Sequence, residues 1–168
     1  MNNKVLLAAL IFLSTSCNTF ASDQSGNRLV AFCNLLSNNV NDDVETLLGK
    51  FGTPDEVIVG HFPNKHISDA TDEVHTGIFK DGIVSVYSVP AIERNYLFRM
   101  EFTADFWPEF VPGFLNKSSK DVEDALGIPE KKDESSIRYS CDEEFADFIK
   151  FVFKSGQVVK LEAQRWMD

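Results

Sequence analysis

Two stretches of this chain are near copies, and that self-similarity limits the fold more than any other feature. Asp121-Val122-Glu123 repeats Asp43-Val44-Glu45, and Leu126-Gly127 repeats Leu48-Gly49. The first copy then inserts three residues, so that Gly52-Thr53-Pro54 matches Gly127-Ile128-Pro129. Asn41 and Ser119, two residues before each Asp, are helix N-cap types. Each phrase therefore predicts a short helix stopped by Gly and Pro. A second match lies downstream, Phe79-Lys80-Asp81-Gly82-Ile83-Val84 against Phe153-Lys154-Ser155-Gly156-Gln157-Val158. Asp-Gly and Ser-Gly between apolar runs predict hairpin turns. The interval from Pro54 to Phe79 is 25 residues and that from Pro129 to Phe153 is 24. Two matches at nearly equal spacing imply a tandem duplication.

The strands alternate with a period of two, which predicts antiparallel sheet with one buried and one wet face. Ile149, Phe151 and Phe153 oppose Phe148, Lys150 and Val152. Val159, Leu161 and Ala163 oppose Val158, Lys160 and Glu162. Tyr96, Phe98, Met100 and Phe102 oppose Asn95, Leu97, Arg99 and Glu101. Leu29, Phe32, Cys33, Leu36 and Val40 form one helical stripe. The expected class is α+β, as two tandem helix-plus-antiparallel-sheet modules with helices packed on one sheet face. The divisions are a leader at 1–21, a first module at 22–104, an aromatic connector at 105–117 and a second module at 118–168. Pro108 and Pro112 exclude a continuous helix in the connector. Its Phe106, Trp107, Phe110 and Phe114 suit either packing against the sheet or, at Trp107, an aromatic anchor for a partner.

The leader has one Lys, then the apolar run Val5–Leu13, then small and polar residues, the pattern of a secretory signal peptide. A permanent membrane helix needs about 20 apolar residues, and no later stretch offers them. Cleavage after Ala21 predicts a periplasmic protein. The alternative is a lipobox at Ser14-Thr15-Ser16-Cys17, with Cys17 lipidated and the chain anchored to the outer membrane. Either way Cys33 and Cys141 remain, an even pair that predicts one disulfide in an oxidising compartment. With Cys33 in the helical stripe and Cys141 on the side of Ile137 and Tyr139, the bridge would tie the two halves together.

Loss of residues 1–21 moves the net charge from −10 to −11, because they hold one Lys and no acid. So acidic a chain argues against nucleic acid and anionic membranes and suits a basic protein partner. No GxSxG, HExxH or phosphate-cradling loop is present. His61, His66 and His75 are read as surface loop residues. Acidic clusters at Asp42-Asp43-Glu45 and Asp121-Glu123-Asp124 fit helix N-termini, and Asp142-Glu143-Glu144-Asp147 fits a solvated turn. No catalytic residue, cofactor or metal is expected, and the chain is read as a non-enzyme.

A helix ending in LGxP or LGTP, then strands, then F-x-x-G-x-V, resembles the SmpA/OmlA (BamE-like) lipoproteins and the β-lactamase inhibitor protein family, whose modules occur in tandem. The carrying residues are Val44, Leu48, Gly52 and Pro54 with Phe79 and Gly82, then Val122, Leu126, Gly127 and Pro129 with Phe153 and Gly156. They are stops, turns and core positions and carry no chemistry. The chain departs from the inhibitors in having one cysteine pair, and from the lipoproteins in its duplication and its Ser14. The resemblance implies a non-enzymatic protein that binds other proteins. With the export pattern, the small acidic form, the cysteine pair and the absence of catalytic motifs, the expectation is an inhibitor or immunity protein in the periplasm, and the alternative is an envelope-assembly lipoprotein. A small-ligand carrier or enzyme is the third reading. Wet-face candidates for a partner are Asn95, Leu97, Arg99, Glu101, Lys150, Lys160 and Glu162.

Overall fold

The structure is a computed structural model and describes residues 29, 30, 33, 34, 36, 42–103, 113–142 and 147–167. The expected leader at 1–21 with Cys17, and Trp107 of the expected connector, lie outside these residues. Leu29, Val30, Cys33, Asn34 and Leu36 are helical. Two further helices follow, α1 at Val44–Gly49 and α2 at Ser119–Leu126. Neither starts at the expected cap. The Asp43 side chain accepts from the Thr46 N–H at 2.6 Å and caps α1. Ser118 caps α2, its Oγ accepting from the Asp121 N–H at 3.2 Å while Asp121 Oδ2 accepts from the Ser118 N–H at 2.9 Å. This reciprocal pair satisfies two N–H groups that a helix start leaves open. The repeated Asp-Val-Glu phrase thus begins with the cap in one copy and one turn inside the helix in the other.

The strands are β1 (Glu56–Pro63), β2 (Thr71–Phe79), β3 (Gly82–Val89), β4 (Arg94–Phe102), β5 (Lys131–Lys132), β6 (Ser136–Ser140), β7 (Phe148–Lys154) and β8 (Gln157–Gln164). They form one antiparallel sheet in the order β1-β2-β3-β4-β8-β7-β6-β5. This corrects the expected pair of helix-plus-sheet modules with helices laid over a sheet. The halves fuse edge to edge where Phe102 meets Leu161 and Met100 meets Ala163. The sheet dominates, and helices of six and eight residues are too short to form a layer over eight strands. They add Leu47, Leu48, Val122 and Leu126 to a single core.

The duplication remains visible in the hairpins. Phe79-Lys80-Asp81-Gly82 joins β2 to β3, and Phe153 to Gly156 lies at the turn from β7 to β8. By this correspondence β7 stands for β2, β8 for β3 and β6 for β1, while β4 has no counterpart among the described residues. Both turns have two residues, Lys80-Asp81 and Ser155-Gly156, so the second is shifted by one position along the repeat. Ser155 and Gly156 both have positive φ, 53° and 77°, the backbone of the commonest tight two-residue hairpin. Gly82 instead pairs directly with Phe79 and has another role. An added Cβ there would collide with the Glu101 carbonyl oxygen and the Phe102 ring.

The core lies on one face of the sheet. Val84, Met100, Ala163, Ile149 and Tyr139 follow one another across β3, β4, β8, β7 and β6, all at most 2% exposed. The Tyr139 hydroxyl donates to the Gly127 carbonyl at 3.1 Å, and burial pushes its pKa well up. Cys33 and Cys141 form the disulfide, spanning 108 positions with Cα atoms 5.2 Å apart. The bridge is compatible with an oxidising compartment such as the periplasm. No described helix is long and apolar enough to cross a membrane.

Candidate functional site

The face opposite the core is where the sequence-selected residues were expected, and five of the seven are there. Glu101 on β4 pairs with Glu162 on β8, which pairs with Lys150 on β7. Arg99 lies two residues from Glu101, and Lys160 two from Glu162, so alternation keeps all five on one face. Arg99 bonds Glu101, and Lys160 bonds Glu162. Lys160 also approaches Glu101 at 3.6 Å, and Lys150 reaches Glu162 at 3.3 Å. The result is a continuous ladder of alternating sign across three strands. Burial opposes ionisation of Glu162, but the hydrogen bonds and charges of Lys160 and Lys150 outweigh it and hold the carboxyl below its usual range. The hydrogen bond that Lys160 donates to Glu162 raises the lysine in turn.

The ladder continues to β6. Arg138 pairs across from Lys150, and its guanidinium lies 4.4 Å from the Phe148 ring centroid. Its Nε nears Glu130 at 3.4 Å but forms no hydrogen bond. This half of the face therefore sets four cations, Arg99, Lys160, Lys150 and Arg138, against the strand carboxylates Glu101 and Glu162. It is locally basic on a chain of net charge −10.

Leu97 and Asn95 are not on this face. Ser85 pairs with Arg99 but Val86 pairs with Leu97, so Phe98 is an extra residue. Such a bulge exchanges the two faces for everything beyond it. Leu97 is therefore fully buried, opposite an equally buried Val86. Asn95 donates through Nδ2 to the Asp42 carbonyl at 3.0 Å, beside the start of α1. Tyr96 and Phe98, expected inside, are only partly buried. A second register shift between Val152 and Phe153 has the same effect on β8, burying Val158 to 1% and leaving Val159 at 37%.

Across β1 to β3 the same outer face turns apolar. Glu56, Ile78, Ile83 and Glu101 align in one row. Ile58, Phe62 and Ile83 are exposed by 51%, 52% and 37%. Nearby, Asp72 is buried and satisfied, accepting from the Tyr87 hydroxyl and from Asn64 Nδ2 at 2.8 Å. Burial and that carboxylate push the Tyr87 hydroxyl up to about 12. Asp72 thus anchors the β1–β2 connection to β3.

The histidines also need correction. His61 and His75 are on strands β1 and β2, not in loops, and flank Glu73 at 3.5 and 2.7 Å. Among the described residues no group of three His, Cys, Asp or Glu side chains could hold a metal ion. Asp147 was expected in a solvated turn but is 5% exposed. Its carboxylate accepts from the Trp166 N–H at 2.7 Å and its carbonyl from the Cys141 N–H at 2.9 Å, closing the chain around the disulfide.

One feature of this region was not singled out by the sequence. Between α1 and β1 lies a cavity of about 460 Å³, lined by Val44, Glu45, Leu48, Gly49, Gly52, Thr53, Pro54, Val57 and His75. Its walls are mainly apolar, and Glu45, the one carboxylate among the described lining residues, is exposed. The stretch Val57-Ile58-Val59 has the composition of a central strand, so only pairing order reveals that it is an edge. No family model, curated protein or solved structure matches this chain.

Proposed function

We propose that this chain is an exported, non-catalytic module that binds a protein target through the outer face of its sheet, as an inhibitor or immunity protein. The observation that carries the reading is the ladder from Arg99 to Lys150, continuous with the exposed Ile83 and Ile58. An apolar centre beside a charged zone is the usual anatomy of a protein interface. The resemblance to tandem inhibitor modules, which grip targets with an open sheet, points the same way. The excess of cations fits acidic side chains on the target, and such complementarity mainly sets association rate and specificity. Export rests on the leader pattern and the cysteine pair.

The test is capture from periplasmic extract at low salt, comparing the wild type with the double reversal Arg99→Glu, Lys160→Glu. The expected outcome is a saturable protein partner on the wild type that the reversal weakens about tenfold or more. Capture of nothing, or equal capture by both proteins, refutes the reading.

A further inference from the structure

The two edges of the sheet are built in opposite ways. At one end, β5 is only two residues long, and both are lysines, Lys131 and Lys132. Short, lysine-bearing edges keep other strands from adding. At the other end, β1 runs for eight residues, and its only ionisable side chains are Glu56 at its start and His61. An edge strand leaves half its backbone N–H and C=O groups unpaired, which makes it a template for another strand. β1 is also apolar on both faces, with Val57 and Val59 exposed by 45% and 42% on the α1 side and Ile58 and Phe62 on the other. The duplication sharpens the contrast. β6, which stands for β1 in the second copy, is covered by β5. Among the described residues nothing pairs with the free side of β1.

We infer that β1 is a docking rail to which an extended segment of another protein adds as a ninth strand, with one large apolar side chain seated in the cavity beside Val57. Backbone pairing supplies affinity in this mode, and pockets for alternate side chains supply selectivity. The electrostatics choose the occupant. Glu45 on the cavity, Asp55 and Glu56 at the entry to β1 and Glu73 across from His61 are all acidic. Among the described residues no Lys or Arg lines the cavity or lies on β1 or β2. The segment that fits alternates apolar residues with Lys or Arg. A second copy of this chain brings net charge −10 to the same rim and is disfavoured by repulsion. This inference rests on the protein-binding reading above but uses a different surface.

The test uses a defined probe, a ten-residue peptide alternating Lys and Val with one central Leu in place of a Val, titrated into the full protein by fluorescence anisotropy. Hydrogen exchange at β1 amides is followed in parallel. Saturable binding with new protection in β1 is expected. N-methylation of alternate peptide amides, replacement of its Lys by Glu, and the double change Val57→Lys, Val59→Lys in the protein should each weaken binding about tenfold or more. Both valines are exposed, so the protein variant should fold, which its circular dichroism verifies. The Arg99→Glu, Lys160→Glu protein should hold the peptide within about twofold, because that ladder lies on other strands. Absence of saturable binding at millimolar peptide, or binding indifferent to N-methylation or to the valine changes, overturns the inference. So does a dimer in sedimentation that the valine changes abolish, since a second copy is then the occupant. If only the peptide fails, the outer-face reading stands. If only partner capture fails, the rail stands.

Discussion

Leu97→Ala tests the bulge on which the assignment of faces depends. Leu97 is fully buried and faces the equally buried Val86, with Met100 and Val84 in the same layer. The substitution removes three carbons, worth about 2.4 kcal/mol of transfer free energy at about 0.8 kcal/mol each. The cavity left in a packed sheet layer adds to this and brings the expected loss to about 3–4 kcal/mol. In a urea melt followed by tryptophan fluorescence, with a slope near 2 kcal/mol per molar, the midpoint should fall by about 1.5–2 M. Arg99→Ala, two residues away on the other face and 56% exposed, should cost under about 1 kcal/mol. If simple alternation ran unbroken through β4, both residues would be wet and both changes would be nearly silent. Equal midpoints for the two variants, within the error of the melt, would refute the bulge and return Leu97 to the binding face.

Reducing the Cys33–Cys141 bridge, which closes a loop of 108 positions, should destabilise the protein by about 4–5 kcal/mol in the chain-entropy description. Guanidinium melts with and without reductant measure it, and a change below about 1 kcal/mol would mean the open chain keeps its ends together. Two glycines should respond with opposite signs. Gly82→Ala should cost about 1–3 kcal/mol, because the obstacle is the Glu101 backbone carbonyl, which cannot swing aside. Gly49→Ala, at the end of α1 with open space around it, should stabilise by about 0.5–1 kcal/mol. Thermal melts decide both, and a shared sign would contradict the packing described. The Glu162 carboxyl has a folded pKa below its ordinary 4.5, so its stabilisation is full above that value and is lost as pH falls through the lower folded one. The stability difference between wild type and Glu162→Gln should therefore be constant near neutrality and shrink on acidification below that range. A difference that does not shrink at all on acidification would remove the ladder's lysines as the cause.

What could be read in advance was whatever local chemistry encodes. Alternation gave the right face for Ile149, Phe151 and Phe153 and for Ile137 and Tyr139, because β6 and β7 run straight between bulges. It failed at Leu97 and Val158, because a bulge carries no residue signature and yet reverses every side chain beyond it. The cysteine pair was legible by count alone. The fusion of the halves through β4 and β8 was not, because it pairs strands some sixty positions apart with no turn between them to announce it. For the same reason the sequence did not distinguish β1, an edge, from a buried central strand. The helix starts slipped by one or two residues because Asn41, Asp43, Ser118 and Ser119 are all plausible caps, and only the hydrogen bonds choose among them.

The duplication itself says where function should be sought. The large apolar positions on which the copies agree are inside: Leu48 and Leu126 are 4% and 7% exposed, Phe79 and Phe153 are 6% and 9%, Val84 and Val158 are 0% and 1%. Agreement therefore reports what the sheet needs in order to pack. The surfaces with a claim to recognition arise where the copies differ. β4, which carries Arg99 and Glu101, has no counterpart in the second copy among the described residues and is also the strand that joins the two halves. The first copy enters β1 directly from Pro54, while the second inserts Lys131 and Lys132 before β6 and closes its edge. One divergence makes a charged ladder in the middle of the sheet, and the other leaves an apolar rail at its end. A partner that used only the shared scaffold would have two equivalent sites and bind twice. Surfaces confined to the differences permit one site of each kind, so binding through either predicts a stoichiometry of one partner per chain.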